Sequence, residues 1–526
     1  MRVDTTTWAS SRPSLLQPPA ALDLAKLSNV ERFGAACVAL PVGAVPLARR
    51  LPLQGRLTVS LALLAAAARI VLVFAALRLG RRLQKQAGVL VSERQAAVEG
   101  SNFVELAEGA RVHYLLSEPP HVPPLPADGT TRPRAPPLLV HLNHGFGANA
   151  FTLDPLIESL GAAMRARAPS GAPLWLCAHD RLGFGLSSRP REAREYGVAC
   201  GAALGLGLLD ALPLGDASDR TACRTIFVGH SLGASLSARM AVLERARVAP
   251  RRLLQLAGLA ATGAGDGEAH APLRPAAAAI VLIAPALVAG ASALPPSEGV
   301  VEAPSPSPSP SPSPSPSASP SLSPARRRPR AAALVAGMGA ALGTASQASL
   351  LLLVRAIILP LLWSARFWKQ GVGAAYADAA RLAPPMLTRY RWPAQVAGAD
   401  RGVACFVLSA LLGARQLRTA DFTSVGAPEA RDVEARDAEA RAAAALAMTD
   451  AQLVRALREA EVPVLIVHGT DDRLVPLSNS RRLAQQLGPL ATLVELPGCG
   501  HCPQEEDPER VAEEVSAFLK ARQVLE

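Results

Sequence analysis

The sequence predicts an α/β fold: a mostly parallel sheet with helices on both faces, interrupted by a long helical insertion. Three observations predict it. Short runs rich in Val, Leu and Ile recur at 138–142, 174–179, 224–228, 279–284, 462–468 and 492–496, apolar enough to be buried on both sides of a sheet. Helix-forming stretches alternate with these runs, which is the pattern of parallel strands joined by crossovers. One run, Arg224-Thr225-Ile226-Phe227-Val228, continues into Gly229-His230-Ser231-Leu232-Gly233 and then a helix beginning Ala234-Ser235-Leu236. In a strand-to-helix turn that sharp, a Cβ on Gly229 or Gly233 would clash, and the hydroxyl of Ser231 is held out over the sheet edge.

Taken in order, residues 1–50 carry Ser, Thr, Arg and Pro with few acids and lack the compact apolar core of a secretory signal. A plastid or mitochondrial transit segment and plain disorder both fit. Within 51–85, residues 57–77 are nearly all apolar, with Arg69 inside and Arg78, Arg81, Arg82 and Lys85 directly after. Eleven Leu, Ile, Val and Phe residues favour insertion by about 0.3–0.6 kcal/mol each, against about 2.5–3.5 for a central arginine, so insertion wins narrowly. The segment is expected to attach the chain to a membrane, as a span or as an interfacial helix with Arg69 snorkelling.

The first part of the α/β core is expected over 100–290. It opens with a hairpin around Glu108-Gly109 and, after a Pro-rich stretch, reaches the strand 138–142 and the glycine loop Asn143-His144-Gly145-Phe146-Gly147-Ala148-Asn149. Residues 291–330 contain Ser-Pro dipeptides from Pro304 to Pro324, followed by an arginine cluster, and read as a solvated linker. Residues 331–447 read as a helical cap whose most apolar part, 349–363, is interrupted by Arg355 and Pro360, favouring an apolar cap over a second span. The core resumes over 448–526: a strand, Gly469-Thr470-Asp471-Asp472-Arg473-Leu474-Val475-Pro476, a helix, a strand, the loop Pro497-Gly498-Cys499-Gly500-His501-Cys502-Pro503, and a last helix from Pro508.

The net charge of +11 comes almost wholly from Arg in a chain also rich in Ala, Pro and Gly, which points to coding bias rather than a nucleic-acid surface. With 4% aromatic residues and no zinc-finger spacing, no nucleic-acid partner is expected. Seven scattered cysteines argue against a disulfide framework and for an intracellular, reducing setting. Cys499 and Cys502 lack a second ligand pair, so neither a metal nor a cofactor is expected.

A serine is a weak nucleophile until a base takes its proton, and that base needs an acid to fix its tautomer and stabilise its cation. Ser231, an acid after a later strand and His501 in a glycine-flanked loop supply these parts in a recognised chain order. Asp472 is favoured over Asp471 by its place in Gly-x-x-Asp-x-x-Val-Pro. The amides of Phe146 and Leu232 are the candidate oxyanion donors, with Gly145, Gly229 and Gly233 shaping the turns.

On these motifs, with Asp180-Arg181, Gly183-Phe184-Gly185-Leu186 and the cap segment 391–402, the chain resembles the serine α/β-hydrolase fold family, and more narrowly an uncharacterised plant and algal branch of it. The resemblance covers about 102–290, 382–412 and 450–521. It implies a cofactor-independent serine hydrolase of the carboxylic ester class, lipase, thioesterase and acyl transfer included; the nearly all-aliphatic cap run from Leu350 to Leu362 adds the expectation of a lipophilic small-molecule ester or lipid as substrate. Other readings are a small-molecule receptor built on the same fold and a scaffold tethered to a membrane. Substrate, organelle and oligomeric state are not readable from the sequence.

Overall fold

The computed structural model describes residues 91–117, 136–167, 173–214, 222–259, 277–287, 350–419 and 433–525, with scattered positions between 71 and 82. Contacts group Met1–Ala289 with Leu351–Glu526 in one compact unit and Gly290–Leu350 in a second, of which Leu350 alone is described. The segment 1–50, the Ser-Pro tract and most of 57–77 thus lie outside the described residues. Among the described residues no single helix is long and apolar enough to cross a membrane.

Eight strands form one sheet: β1 (Ser101–Ala107), β2 (Ala110–Ser117), β3 (Leu138–Asn143), β4 (Leu174–His179), β5 (Arg224–His230), β6 (Ala279–Ile283), β7 (Val464–Gly469) and β8 (Ala491–Leu496). Their order is β1-β2-β4-β3-β5-β6-β7-β8. The β1/β2 hairpin and the β2/β4 pairing are antiparallel, and every other pairing is parallel. Every residue of β3, β6 and β7 is buried, as their continuous apolar runs require.

Alternate side chains feed two cores. Leu139, Phe227, Ile280 and Ile466 face the helices Val198–Ala211 and Leu232–Arg245. Val140, Ile226, Val281 and Leu465 face the helices Asp154–Arg167 and Pro508–Ala521. Several boundaries differ from the sequence reading by a residue or two, and two of them have a visible cause. Strand β7 starts at Val464 because Pro463 has no N–H for the ladder, although its carbonyl accepts from Ile280 N at 2.9 Å. The helix after Ser231 begins at Leu232, one turn position after the serine, rather than at Ala234.

Chain order sets where a ligand can sit. After β3 the chain crosses to β4 on one side, then returns to β5 on the other, so the carboxyl ends of β3 and β5 flank a switch point where an open crevice forms. Asp180, just past β4, ties this end together. Its carboxylate accepts from Ala150 N and Leu186 N, both at 2.7 Å, and from His113 Nδ1 of β2 at 2.6 Å. Burial alone would raise its pKa, but His113 and these amides hold it down at about 2.

The cap comprises helices Leu350–Trp363, Ala365–Ala375, Pro384–Arg391, Ala399–Thr419 and Val433–Ala447. Pro360 does not interrupt the first of these. The break falls at Ser364, whose hydroxyl accepts from Phe367 N and caps the second helix, turning the chain by 88°. Arg355 also sits within the helix, its charge met by Asp400 at 2.7 Å.

Candidate active site

Strand β5 delivers Ser231 at φ +53°, ψ −117°, a conformation that L residues avoid and that the fold must impose. Two close approaches impose it. A Cβ on Gly229 would fall on the backbone of Gly233, and one on Gly233 would fall on the carbonyl of Asn143, so only glycine lets β5, its helix and the loop after β3 converge. Ser231 N donates to Ile283 O at 2.9 Å, pinning the turn to β6.

His501 arrives from the loop after β8. Its Nε2 is 3.0 Å from Ser231 Oγ and its Nδ1 is 2.8 Å from Asp472 Oδ2. With the proton on Nδ1 bonded to the carboxylate, Nε2 is free to accept the serine hydroxyl. Asp471 faces elsewhere: its carboxylate accepts from Gly498 N at 3.0 Å and from the Thr470 hydroxyl at 3.1 Å.

Asp472 is held at four points. Oδ1 accepts from Leu474 N at 2.8 Å and Val475 N at 2.9 Å, while Oδ2 faces both His501 and His468 Nε2, the latter at 3.1 Å. Burial works to raise its pKa, yet the bonds from His468 and His501 and the Val475 amide hold it well below the usual carboxylate range. His468 has two acceptors around Nε2, Asp472 Oδ2 and Val475 O at 3.0 Å, so its proton sits there, and the Ser480 hydroxyl donates to Nδ1 at 2.6 Å. Sequence reading missed His468. It ends a strand four residues before Asp472, a placement that marks many side chains with no such role.

Two further histidines brace the loops. His230 Nε2 donates to His501 O at 2.8 Å, and burial drops its pKa to about 3. His144 bridges Gly145 O and Arg181 N, and burial lowers it to about 4. Both therefore stay neutral and act as hydrogen-bonding struts. Gly145 passes so close to the serine that a Cβ there would lie 3.1 Å from Ser231 Cβ. The next amide, Phe146 N–H, and Leu232 N–H at the start of the elbow helix have no hydrogen-bond acceptor among the described residues. Both unpartnered amides lie next to the serine whose hydroxyl faces His501, an arrangement that could donate to an oxyanion there.

The cap closes over this end of the sheet. Phe146 stacks on Phe406 and meets Phe184 edge-on, with centroids 5.5 and 5.9 Å apart. A cavity of about 200 Å³ lies beside the loop 145–149 that follows β3, walled by Phe146, Phe184, Leu362, Trp368, Tyr390 and Val403 among others. Ser231 and His501 are not part of its wall, whereas Phe146 and Gly147 are. Cys499 and Cys502 are buried, the Cys499 thiol pushed up to about 11 by burial.

Residues 323–514, a stretch that holds Asp472 and His501 but not Ser231, match the Alpha/beta hydrolase family. The eight-stranded, mostly parallel sheet with its elbow and cap is the α/β-hydrolase fold. A 76-residue stretch is 32% identical to the bifunctional esterase/perhydrolase DCH of Acinetobacter calcoaceticus, covering 14% of this chain and 28% of that protein. Solved structures similar to the chain include a membrane phospholipase A that is a bacterial virulence factor (19% identity, 89% of this chain and 99% of that one, TM-score 0.40). Others are a putative aryl esterase from Burkholderia cenocepacia (14%, 81% and 99%, 0.40) and an esterase from Exiguobacterium antarcticum (13%, 80% and 99%, 0.38).

Proposed function

We propose that the protein is a cofactor-independent serine hydrolase that cleaves a lipophilic carboxylic ester through an acyl-enzyme on Ser231. The observation that carries this reading is the continuous bond path from Ser231 Oγ through His501 to Asp472, at 3.0 and 2.8 Å, beside two free amides. In the first step Ser231 Oγ attacks the ester carbonyl while its proton passes to His501 Nε2. Negative charge developing on the carbonyl oxygen is met by the amides of Phe146 and Leu232. The alkoxide leaves with the proton from His501, and the acyl group stays on Ser231. Water, deprotonated by His501, then releases the acid and restores the serine. Asp472 remains ionised throughout and stabilises the imidazolium.

The lipophilic preference follows from the aromatic and aliphatic wall of the cavity beside the oxyanion loop. Membrane attachment, on the apolar sequence of 57–77, and a plastid location, on the acid-poor Ser, Thr, Arg and Pro composition of 1–50, remain part of this proposal. The relationship to a plant and algal branch is likewise proposed on the motifs at 143–148, 180–186 and 391–402.

The test is fluorophosphonate labelling and p-nitrophenyl ester turnover of the wild-type chain and Ser231→Ala. We expect labelling of the wild type alone and loss of turnover on the order of a millionfold in the variant. Labelling that survives Ser231→Ala removes the assignment. Tight binding of a small ligand without turnover by the wild type would establish the receptor reading instead.

A further inference from the structure

We propose that the outer face of the cap helices Leu350–Trp363 and Ala365–Ala375 docks on an anionic lipid bilayer, and that ester substrates pass from the bilayer into the cavity beneath; the second half rests on the hydrolase reading. Eight large apolar side chains are exposed among the described residues, and Ile357, Leu361 and Phe367 are three of them, at 58%, 38% and 37% exposure. The opposite face is equally apolar, with Ala356, Leu359, Leu362, Trp363 and Trp368 buried. A helix that is apolar all round is normally covered all round, and here, among the described residues, protein covers one side only.

Charge selects the occupant. Residues 351–375 contain no Asp or Glu, and their three cations are Arg355, Arg366 and Lys369. Arg355 is neutralised within the fold by Asp400 at 2.7 Å. Arg366 and Lys369 are exposed on the turn that also exposes Phe367. An apolar face with cations at its edge and no acid fits the headgroup and upper acyl region of an anionic leaflet, where apolar burial and electrostatic attraction add. The two helices meet at 88°, too sharply for a straight span, so they would lie along the surface.

Continuity with the cavity gives the docking a purpose. Leu361 and Phe367 are exposed on the outer face and also wall the cavity, together with Ile358, Leu362 and Trp368 of the same helices. A lipid ester leaving the bilayer here would move along apolar surface and reach Phe146 and the oxyanion loop without crossing water.

The experiment uses the full chain carrying Ile357→Cys, labelled with a polarity-sensitive fluorophore; the six described cysteines are buried, and wild type labelled in parallel serves as the control. Vesicles are phosphatidylcholine with or without phosphatidylglycerol, with nitroxides near the top of the acyl chains. We expect the emission to rise and to be quenched by the nitroxides, more strongly with phosphatidylglycerol. Arg366→Gln and Lys369→Gln should each weaken binding to the anionic vesicles about fivefold. A fluorophore that stays in water while the protein floats with the vesicles would overturn the proposal, because another segment such as 57–77 would then hold the membrane. A fluorophore already shielded without lipid would also overturn it, showing that another part of the chain or a second copy covers the face.

For the entry route, Ile357→Asp, which does not wall the cavity, should lower hydrolysis of a vesicle-embedded ester by about fivefold or more while changing that of a soluble butyrate ester less than about twofold. Equal losses on both substrates refute the route. A wild type that hydrolyses neither sinks the hydrolase reading, while the fluorescence still decides the docking.

Discussion

Glu505 is the group whose titration should be visible in the stability of the whole molecule. It lies four residues past His501 and accepts hydrogen bonds from two cap tyrosines, Tyr376 at 2.8 Å and Tyr390 at 2.7 Å, and from Gln504 at 3.3 Å. Burial raises its pKa from 4.5 to about 7 in spite of these bonds and of Arg389 nearby. Because the folded value lies above the unfolded one, the folded state keeps its proton while the unfolded chain loses it. Stability is therefore fully present below about pH 4.5 and is lost as pH rises towards about 7. The rise from 4.5 to about 7, at about 1.4 kcal/mol per pH unit, sets a ceiling of about 3.4 kcal/mol. Glu505 is only half-buried and borders a cavity of about 830 Å³, so water there screens the carboxylate and we expect about half of that. Asp154, raised to about 7 by burial, titrates in the same window, so wild type alone does not isolate the effect. The comparison is with Glu505→Gln, which keeps an acceptor for one tyrosine and cannot ionise. Urea midpoints measured from about pH 4.5 to about pH 7.5 should fall more steeply for wild type, with a relative loss of about 1.7 kcal/mol. Parallel slopes would refute the reasoning.

Three further outcomes are expected. Asp472→Asn should lower kcat by about ten thousandfold, since the imidazole loses the partner that fixes its tautomer, while Asp471→Asn stays within about tenfold; the reverse ranking would transfer the acid role to Asp471. Ser231 sits at φ +53°, a strain of about 1–3 kcal/mol that glycine relieves and alanine keeps, and the flexibility of unfolded glycine takes back about 0.5–1 kcal/mol. Ser231→Gly should thus unfold at higher urea than Ser231→Ala, both being inactive, and equal midpoints would mean that the turn is unstrained. In a p-nitrophenyl ester series from acetate upward, each methylene buried in the cavity is worth about 0.8 kcal/mol, so kcat/KM should climb about two orders of magnitude over four carbons and peak at six carbons or beyond. Activity falling steadily from acetate would remove the apolar pocket.

What was legible in the sequence and what was not divide by contact distance. The strands of the parallel sheet could be read because burial on both faces demands unbroken apolar runs, and the elbow could be read because its geometry demands glycine at two fixed offsets from Ser231. Asp472 and His501, which the structure brings within 2.8 Å of each other, were singled out by their own local turns. Their supports were not. His468 is bonded to Asp472 by virtue of how β7 ends, and nothing in its neighbours marks it. His113 and Asp180 are 67 residues apart and meet only because β2 pairs antiparallel with β4, a register that no periodicity records. The helix Val198–Ala211 is built from Ala, Gly and Leu and buried nearly all round, so it lacks the amphipathic stripe by which surface helices are recognised. Pro360 misled for a related reason: the sequence marked a helix breaker, while the break was set by the cap that Ser364 provides four residues later.

The same long-range contacts make the cap and the histidine loop one mechanical piece. His501 N donates to Ala375 O at 2.6 Å, at the end of the second cap helix, and Glu506 accepts from Gly500 N at 2.8 Å and Ala377 N at 2.9 Å. A Cβ on Gly500 would meet Ala375 O and Ala377 N at 2.5 Å, so the two backbones lie against each other with no room between them. With Tyr376 and Tyr390 bonded to Glu505 as well, the segment 375–377 cannot shift without pulling on His501. In many lidded enzymes the cover is hung on flexible loops and moves independently of the reacting groups. Here a displacement of the helices that wall the cavity would be felt at His501 Nε2, 3.0 Å from the serine, where a loss of alignment of about 1 Å is enough to slow chemistry by about a hundredfold. Bulky or poorly seated substrates that lift Ala365–Ala375 should therefore be penalised in kcat as well as in KM, so that the cavity selects substrates partly through the base that acts on them.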